Sequence, residues 1–208
     1  MPREAPLLIV DVDEVVVERD LAAGLLACPR CVGVLARWGW ARERVLRCAG
    51  GDLVLRPRRA RCRGCAATHV LLSEQGLLRR RDEVAVIGAA LVEMVGAGRG
   101  HRPVAARVGL PASTVRGWRR AFAGGAQEIR AHFTRWGHAL DPSLGRVGPA
   151  GDVAADALEA IAVAARAWVL RFGSRPLWVL VCVLSGGVLL CNTSCPFPAA
   201  GAAVRVRV

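Results

Sequence analysis

The chain has 208 residues, 53% of them hydrophobic, and a formal net charge of +12, which excludes a disordered chain and leaves room for one large domain or two small ones. All 29 basic residues are arginine and tyrosine is absent. That usage goes with a GC-rich genome, so where the arginines fall says more than their kind. Residues 1–27 carry a net charge of −4, residues 28–81 +10, residues 82–140 +4 and residues 141–208 +2. A basic block on a small segment favours a polyanionic partner, nucleic acid first, with a solvated surface as the alternative. The longest apolar run, residues 177–191, has 15 residues and is interrupted by Ser185-Gly186-Gly187. It falls short of the ~18–20 residues that span a bilayer. With no secretory signal in view, a cytoplasmic protein without membrane contact is expected.

The first segment, residues 1–27, opens with an apolar run at 7–10 that predicts a strand, then Asp11-Val12-Asp13, then a short helical turn at 20–26. A strand followed by Asp-x-Asp resembles the first motif of haloacid-dehalogenase-type phosphatases. Nothing downstream supplies the lysine and second acidic pair of that chemistry, so the reading is a strand covering one side of the next module.

Residues 28–78 hold the strongest signal. Cys28-Pro29-Arg30-Cys31 and Cys62-Arg63-Gly64-Cys65 are two Cys-x-x-Cys turns separated by 30 residues. Two residues between thiolates let a tight turn aim both sulfurs at one ion, and a second turn completes a tetrahedron. A disulfide framework would need an oxidising compartment. A thioredoxin-like redox pair would be a single Cys-x-x-Cys at a strand-to-helix junction. Gly33 and Gly64 lie in or beside the turns, where positive φ is useful. Short β-rich segments at 34–40, 44–48 and 53–56 are each too small to bury a core, so the reading is a zinc ribbon in which structural Zn2+ replaces the core. His69 is a substitute ligand or, the preferred reading, a residue of the last ribbon strand. Cys48 is read as a packed free thiol. Arg56, Arg58, Arg59, Arg61 and Arg63 fall at near-alternate positions and predict a stripe of guanidinium groups for phosphate. Trp38 and Trp40 also alternate; packing of the ribbon is preferred over a base-stacking platform.

Residues 79–140 are read as a helical DNA-binding domain. Arg79-Arg80-Arg81 is the expected hinge. Asp82 and Glu83 suit the first turn of a helix continuing through Val84, Ile87, Leu91 and Val95 and ended by Gly96, Gly98 and Gly100. Residues 101–122 then fit a helix-turn-helix. Val104 and Val108 face inward, Ala105 lets the helices cross, Gly109 turns and Leu110 plugs the corner. A second helix after Pro111, capped by Ala112 or Ser113, buries Val115, Trp118 and Phe122. Ser113, Arg116 and Gly117 then lie nearest the bases, with Thr114, Arg119 and Arg120 nearer phosphates. An ordinary helical hairpin with a solvated basic face is the alternative. A helix at 127–140 holds His132 and His138, six apart and on different faces, which argues for packing rather than metal binding.

Residues 141–151 are a linker by composition. Residues 152–208 are read as a helical segment with a loose tail. Its first helix, 152–172, carries an apolar stripe of Leu158, Ile161, Ala165, Trp168 and Phe172 and ends at Gly173. Its second, capped by Ser174, covers Leu177–Leu184; a β-hairpin turning on Gly186-Gly187 is the alternative. Cys191 and Cys195 lack a second pair and are read as free thiols. The fold class is therefore α+β, mainly α.

A ribbon with Cys-Pro-x-Cys and Arg-Cys-x-x-Cys, followed by a helix and a helix-turn-helix ending Ser-Thr-Val-Arg-x-Trp, resembles the N-terminal DNA-binding region of insertion-sequence transposases. It is also similar to a group of two-module, transposon-associated bacterial proteins. The resemblance covers about residues 25–140. It implies zinc on Cys28, Cys31, Cys62 and Cys65, and a recognition helix beginning at Ser113, Thr114 and Arg116. It also implies binding to element ends, or regulation, rather than strand transfer. A complete transposase would need three carboxylates on an RNase H-like fold, and no strand series follows residue 140 to present them. The expectation is thus a zinc-containing, sequence-specific DNA-binding protein without a catalytic site of its own, transposon-associated or a partial transposase. The alternatives are a transcriptional regulator or an interaction subunit that recruits a recombinase. Expected partners are double-stranded DNA, a transposase or recombinase, and a second copy of the chain.

Overall fold

The computed structural model describes residues 8–145, 147–149, 151–191 and 197. Cys195 and the tail expected to be loose lie outside these residues. The fold is α+β: a small sheet and a hairpin in the first third, helices in the rest. β1 (Leu8–Val10) leads into α1 (Glu14–Ala22). Then come β2 (Leu35–Trp40), β3 (Arg44–Cys48), β4 (Gly51–Leu55), β5 (Arg58–Cys62) and β6 (Thr68–Ser73). β1, β6, β5 and β2 form one sheet in that order, with β1 parallel to β6 and the other pairs antiparallel; β3 and β4 form a separate hairpin.

Asp11-Val12-Asp13 proves to be a helix start. Asp13 is the N-cap, accepting from the Val15 amide at 2.8 Å, and its own amide donates to Asp11 Oδ1 at 2.9 Å. The cap satisfies donors that the first turn leaves open. Hence α1 begins at Glu14 rather than at residue 20, through a Val-rich stretch that reads poorly as helix. α1 lays Val17 and Leu21 on Leu35, Ala60 and Leu71 of the sheet, and these residues with Cys28 and Cys62 make the ribbon's core cluster.

The helical part begins with α2 (Val84–Leu91), which widens into a π-helical turn at Val92–Gly96. Then follow α3 (His101–Val108), α4 (Ala112–Gly124), α5 (Ala126–Leu140), α6 (Val153–Phe172) and α7 (Leu177–Leu184). Glu83, not Asp82, is the N-cap of α2. Asp82 is buried and ion-paired to Arg47 of β3 at 2.7 Å. α7 is a helix, not a hairpin strand, and it starts from Pro176 rather than from Ser174. Pro is suited to helix starts because it brings no orphan amide. The buried stripe of α6 differs from the expected one: Phe172 is at the surface against Trp168, and Ala157, Ala160, Ala164 and Ala167 take buried positions. Small side chains let α5 and α6 approach closely. The same device appears where α2 crosses α7, since a Cβ at Gly88 would run into the Trp178 indole.

The two parts are fastened together. The Arg47 amide donates to Arg81 O at 2.7 Å, the Glu83 amide to Arg47 O at 2.9 Å and the Leu78 amide to Gly187 O at 2.8 Å. Arg80 reaches Leu190 O, and Arg175 is paired to Glu74. The arginine triplet expected to be a hinge is therefore bonded into place. Burial pushes the Cys182 thiol up to about 12, with Glu74 adding to it; its Sγ lies 3.4 Å from Gly76 O. A thiol held protonated in this way packs rather than reacts.

Candidate metal centre and basic surfaces

The two cysteine turns repeat one backbone pattern. The Cys28 amide donates to Gly33 O and the Val32 amide returns to Cys28 O. In the second turn the Cys62 amide donates to Ala67 O and the Ala66 amide returns to Cys62 O. The left-handed residues are Val32 (φ 63°) and Ala66 (φ 58°), not the glycines. Gly33 has a different role: a Cβ there would lie 3.2 Å from Cys62 Sγ and 3.3 Å from Cys31 Sγ. Its missing side chain makes room for the sulfur cluster.

All four Sγ atoms lie within 4.8 Å of one another. Cys28 to Cys65 is 3.7 Å and Cys31 to Cys62 is 3.4 Å. A disulfide would bring sulfurs to about 2.05 Å. Sulfurs held about 2.3 Å from a tetrahedral ion stand about 3.8 Å apart, so the donor set fits Zn2+ or another ion of similar size. Backbone amides point at the sulfurs: Arg30 N at 3.4 Å from Cys28, and Gly64 N and Cys65 N at 3.3 Å and 3.4 Å from Cys62. The Cys65 amide, the Cys31 sulfur and the Gly64 amide hold the Cys62 thiol down at about 6, against its burial. Cys31 goes the other way, to about 12: the Gly33 amide pulls it down, but the sulfurs of Cys62, Cys65 and Cys28 and burial outweigh it. Four thiols this close cannot all ionise without a cation, which is the electrostatic demand a metal meets.

His69 lies on β6 as expected, is 1% exposed, and puts Nε2 3.3 Å from Cys28 Sγ. With a metal on the cysteines it would be an outer-sphere partner of that sulfur, and such partners orient ligands. Cys48 is free and half-buried.

The arginine stripe divides between two faces. Cys62 and Ala60 of β5 point into the ribbon core, so Arg58, in the same alternation, faces the α1 side. There Glu18 takes both Arg58 at 2.6 Å and Arg37 at 2.8 Å. Arg58 is thus an internal ion-pair partner, which corrects its assignment to the phosphate-facing stripe. Arg59, Arg61 and Arg63 remain on the outer side. Arg61 and Arg63 are exposed and Arg59 is half-buried, its Nε unpartnered among the described residues. The tryptophans do not share a face either. The β2–β5 register shifts between Arg37 and Gly39, so Trp38 occupies a bulge. Trp38 stacks under Arg61 (4.6 Å) and Trp40 under Arg58 (4.3 Å). Trp38 is 50% exposed and Trp40 38%, so the expected packing role is not met. A bulge was not readable from alternation, which assumes regular pairing.

α3 and α4 form a helical hairpin. Gly109 at φ 68° closes α3 by a left-handed turn, a conformation that glycine adopts without Cβ strain. Val104, Ala105, Val115, Trp118 and Phe122 are buried, and Val108 and Leu110 pack against the same core. Pro111 is the N-cap, in place of the expected Ala112 or Ser113. Ser113, Arg116, Gly117, Arg119 and Arg120 are exposed and Thr114 is half-buried. Glu93 pairs with Arg107 of α3 at 2.6 Å and with Arg99 before it at 3.6 Å, and with no arginine of α4. His132 is buried and bonded to Leu184 O at 2.8 Å, a packing histidine, and His138 is exposed.

No protein-family model, curated protein or solved structure matches the chain. Among the described residues no helix is long and apolar enough to cross a membrane.

Proposed function

We propose that the chain is a sequence-specific DNA-binding protein in which Zn2+ on Cys28, Cys31, Cys62 and Cys65 holds the ribbon. In this reading α4 reads base edges and the outer ribbon arginines grip phosphate. The observation that carries it is the two-sidedness of α4: Val115, Trp118 and Phe122 are buried while Ser113, Arg116, Gly117, Arg119 and Arg120 face solvent. The helix contains no acidic residue. At 13 residues it is about 20 Å long, the scale of a recognition helix in a major groove. In this reading Arg116, exposed on α4, bonds guanine in bidentate fashion. The chain acts in the cytoplasm on the ends or control region of a mobile element, alongside a transposase or recombinase that performs the chemistry.

The test is selection from random duplexes by the zinc-loaded protein at ~150 mM salt, where contacts to phosphate alone are weak. Enrichment of a motif is expected, and its symmetry reports whether two copies bind. On the selected site Arg116→Ala costs ~1–3 kcal/mol and relaxes one base position. Retention without enrichment removes α4 as a reader; equal weakening of all sequences by Arg116→Ala makes Arg116 a phosphate contact.

A further inference from the structure

We infer that the outer face of the ribbon sheet, centred on Trp38, is a separate site for unpaired nucleotides of single-stranded nucleic acid. This rests on the reading of the ribbon as a polyanion-binding module and is independent of α4.

Paired residues of neighbouring strands share a face of the sheet. Leu35 opposite Cys62 points into the ribbon core, so Ala36 opposite Arg61 points out. The bulge then keeps Trp38 on the Arg61 side, followed by Gly39 opposite Arg59, and sends Trp40 to the α1 side. β2 is an edge strand of its sheet. A bulge at an edge is a common device for re-aiming a side chain. Here it holds an indole 50% exposed, in a module whose few large apolar groups would otherwise be expected inside it.

One face of the ring is braced. The Arg61 guanidinium lies 4.6 Å from the ring centroid, and Arg61 Nε donates to Ala66 O at 3.3 Å. Cation and ring are thus ordered before a ligand arrives, which lowers the entropic cost of binding. The ring keeps half of its surface exposed, which leaves area for a planar partner. Glu18 pairs with Arg37 and Arg58, both on the inner side. Among the described residues the outer Arg59, Arg61 and Arg63 have no acidic partner, and residues 28–42 and 53–73 contain no acid at all. Alternate residues on a strand repeat at roughly 6.8 Å, the scale of successive phosphates along an extended single strand. A stacking ring beside an arginine row suits bases whose faces are free; in a duplex those faces are covered by neighbouring pairs.

The experiment titrates the full zinc-loaded chain with a twelve-nucleotide oligodeoxythymidine, following anisotropy and tryptophan fluorescence at ~150 mM salt. Trp38→Ala is expected to weaken binding about tenfold or more, to abolish the fluorescence change and to leave the base motif selected from duplexes by α4 unaltered. Trp38→Phe, which keeps a ring, should retain most of the affinity. Zinc content of each variant reports that the ribbon is intact. A zinc-loaded Trp38→Ala protein that binds the oligonucleotide as tightly as the parent overturns the inference, as does a parent with no affinity for the single strand. Oligouridine in a parallel titration tells DNA from RNA as the source of the strand; tighter binding of either, lost with Trp38, supports the site. Absence of a selected duplex motif alongside Trp38-dependent single-strand binding defeats the α4 reading and leaves this one standing.

Discussion

The ribbon and the helical part reach stability by different means. Among the described residues the ribbon's buried cluster has seven members, two of them Cys28 and Cys62 of the sulfur cluster. The cluster under the helices has 29, including Trp118, Phe122, Phe133, Trp168 and Trp178. A seven-member cluster of Val, Leu, Ala and Cys cannot offset the conformational entropy of about fifty residues. The helical cluster is the size of an ordinary domain core. A metal on the four cysteines would substitute for apolar area in one region and have no part in the core of the other. The difference also frees the ribbon's large aromatic side chains: Trp38 and Trp40 stand at its surface because the sulfur cluster, not an indole, organises its interior.

The two regions should come apart most sharply at Cys62. Cys62→Ser removes a ligand, and structural zinc contributes on the order of 10–16 kcal/mol in small metal modules. Zinc content by elemental analysis should fall from one per chain to near none, with helical circular dichroism largely kept; a full zinc complement in the variant would contradict the metal assignment. Gly88→Ala is the converse. Its Cβ would displace the Trp178 indole, and overpacking of this kind costs ~1–3 kcal/mol. The urea midpoint of the helical part should drop while zinc stays bound; an unchanged midpoint would mean that α2 and α7 are looser than described.

A smaller effect separates the regions by pH. Burial holds the His132 imidazole below its ordinary value, Arg135 adding to this and the bond to Leu184 O opposing it. The neutral ring is thus favoured in the fold. Its contribution to stability is complete above about pH 6.5, the unfolded value, and is lost as pH falls through the lower folded value. In His132→Leu the helical transition should depend less on pH between 7 and 5 than in the parent, a comparison that cancels any effect of zinc release. Equal pH dependence in the two proteins would place the titrating group elsewhere.

Features built from neighbours in sequence were legible. The cysteine turns are closed within six residues, from Cys28 to Gly33 and from Cys62 to Ala67. The α3–α4 hairpin announces itself by apolar spacing around Gly109. What escaped depends on partners far along the chain. Glu18 reaches 40 residues ahead to Arg58, Glu74 reaches 101 to Arg175, and Asp82 meets Arg47 across the junction. No local pattern specifies such pairs. The bulge at Trp38 escaped because strict alternation carries both tryptophans to one face, and a single inserted residue sends Trp40 to the other. The start of α1 was hidden by its valines, although the Asp11-Val12-Asp13 cap was in plain view.

The most direct test of the division between a metal-held ribbon and a core-held helical part is hydrogen exchange, resolved by peptide, before and after zinc is stripped by a strong chelator. Residues 28–72 are expected to lose protection while α5 and α6 keep theirs, and protection should return with added zinc. Retained protection in the ribbon, or equal loss along the whole chain, would contradict that division.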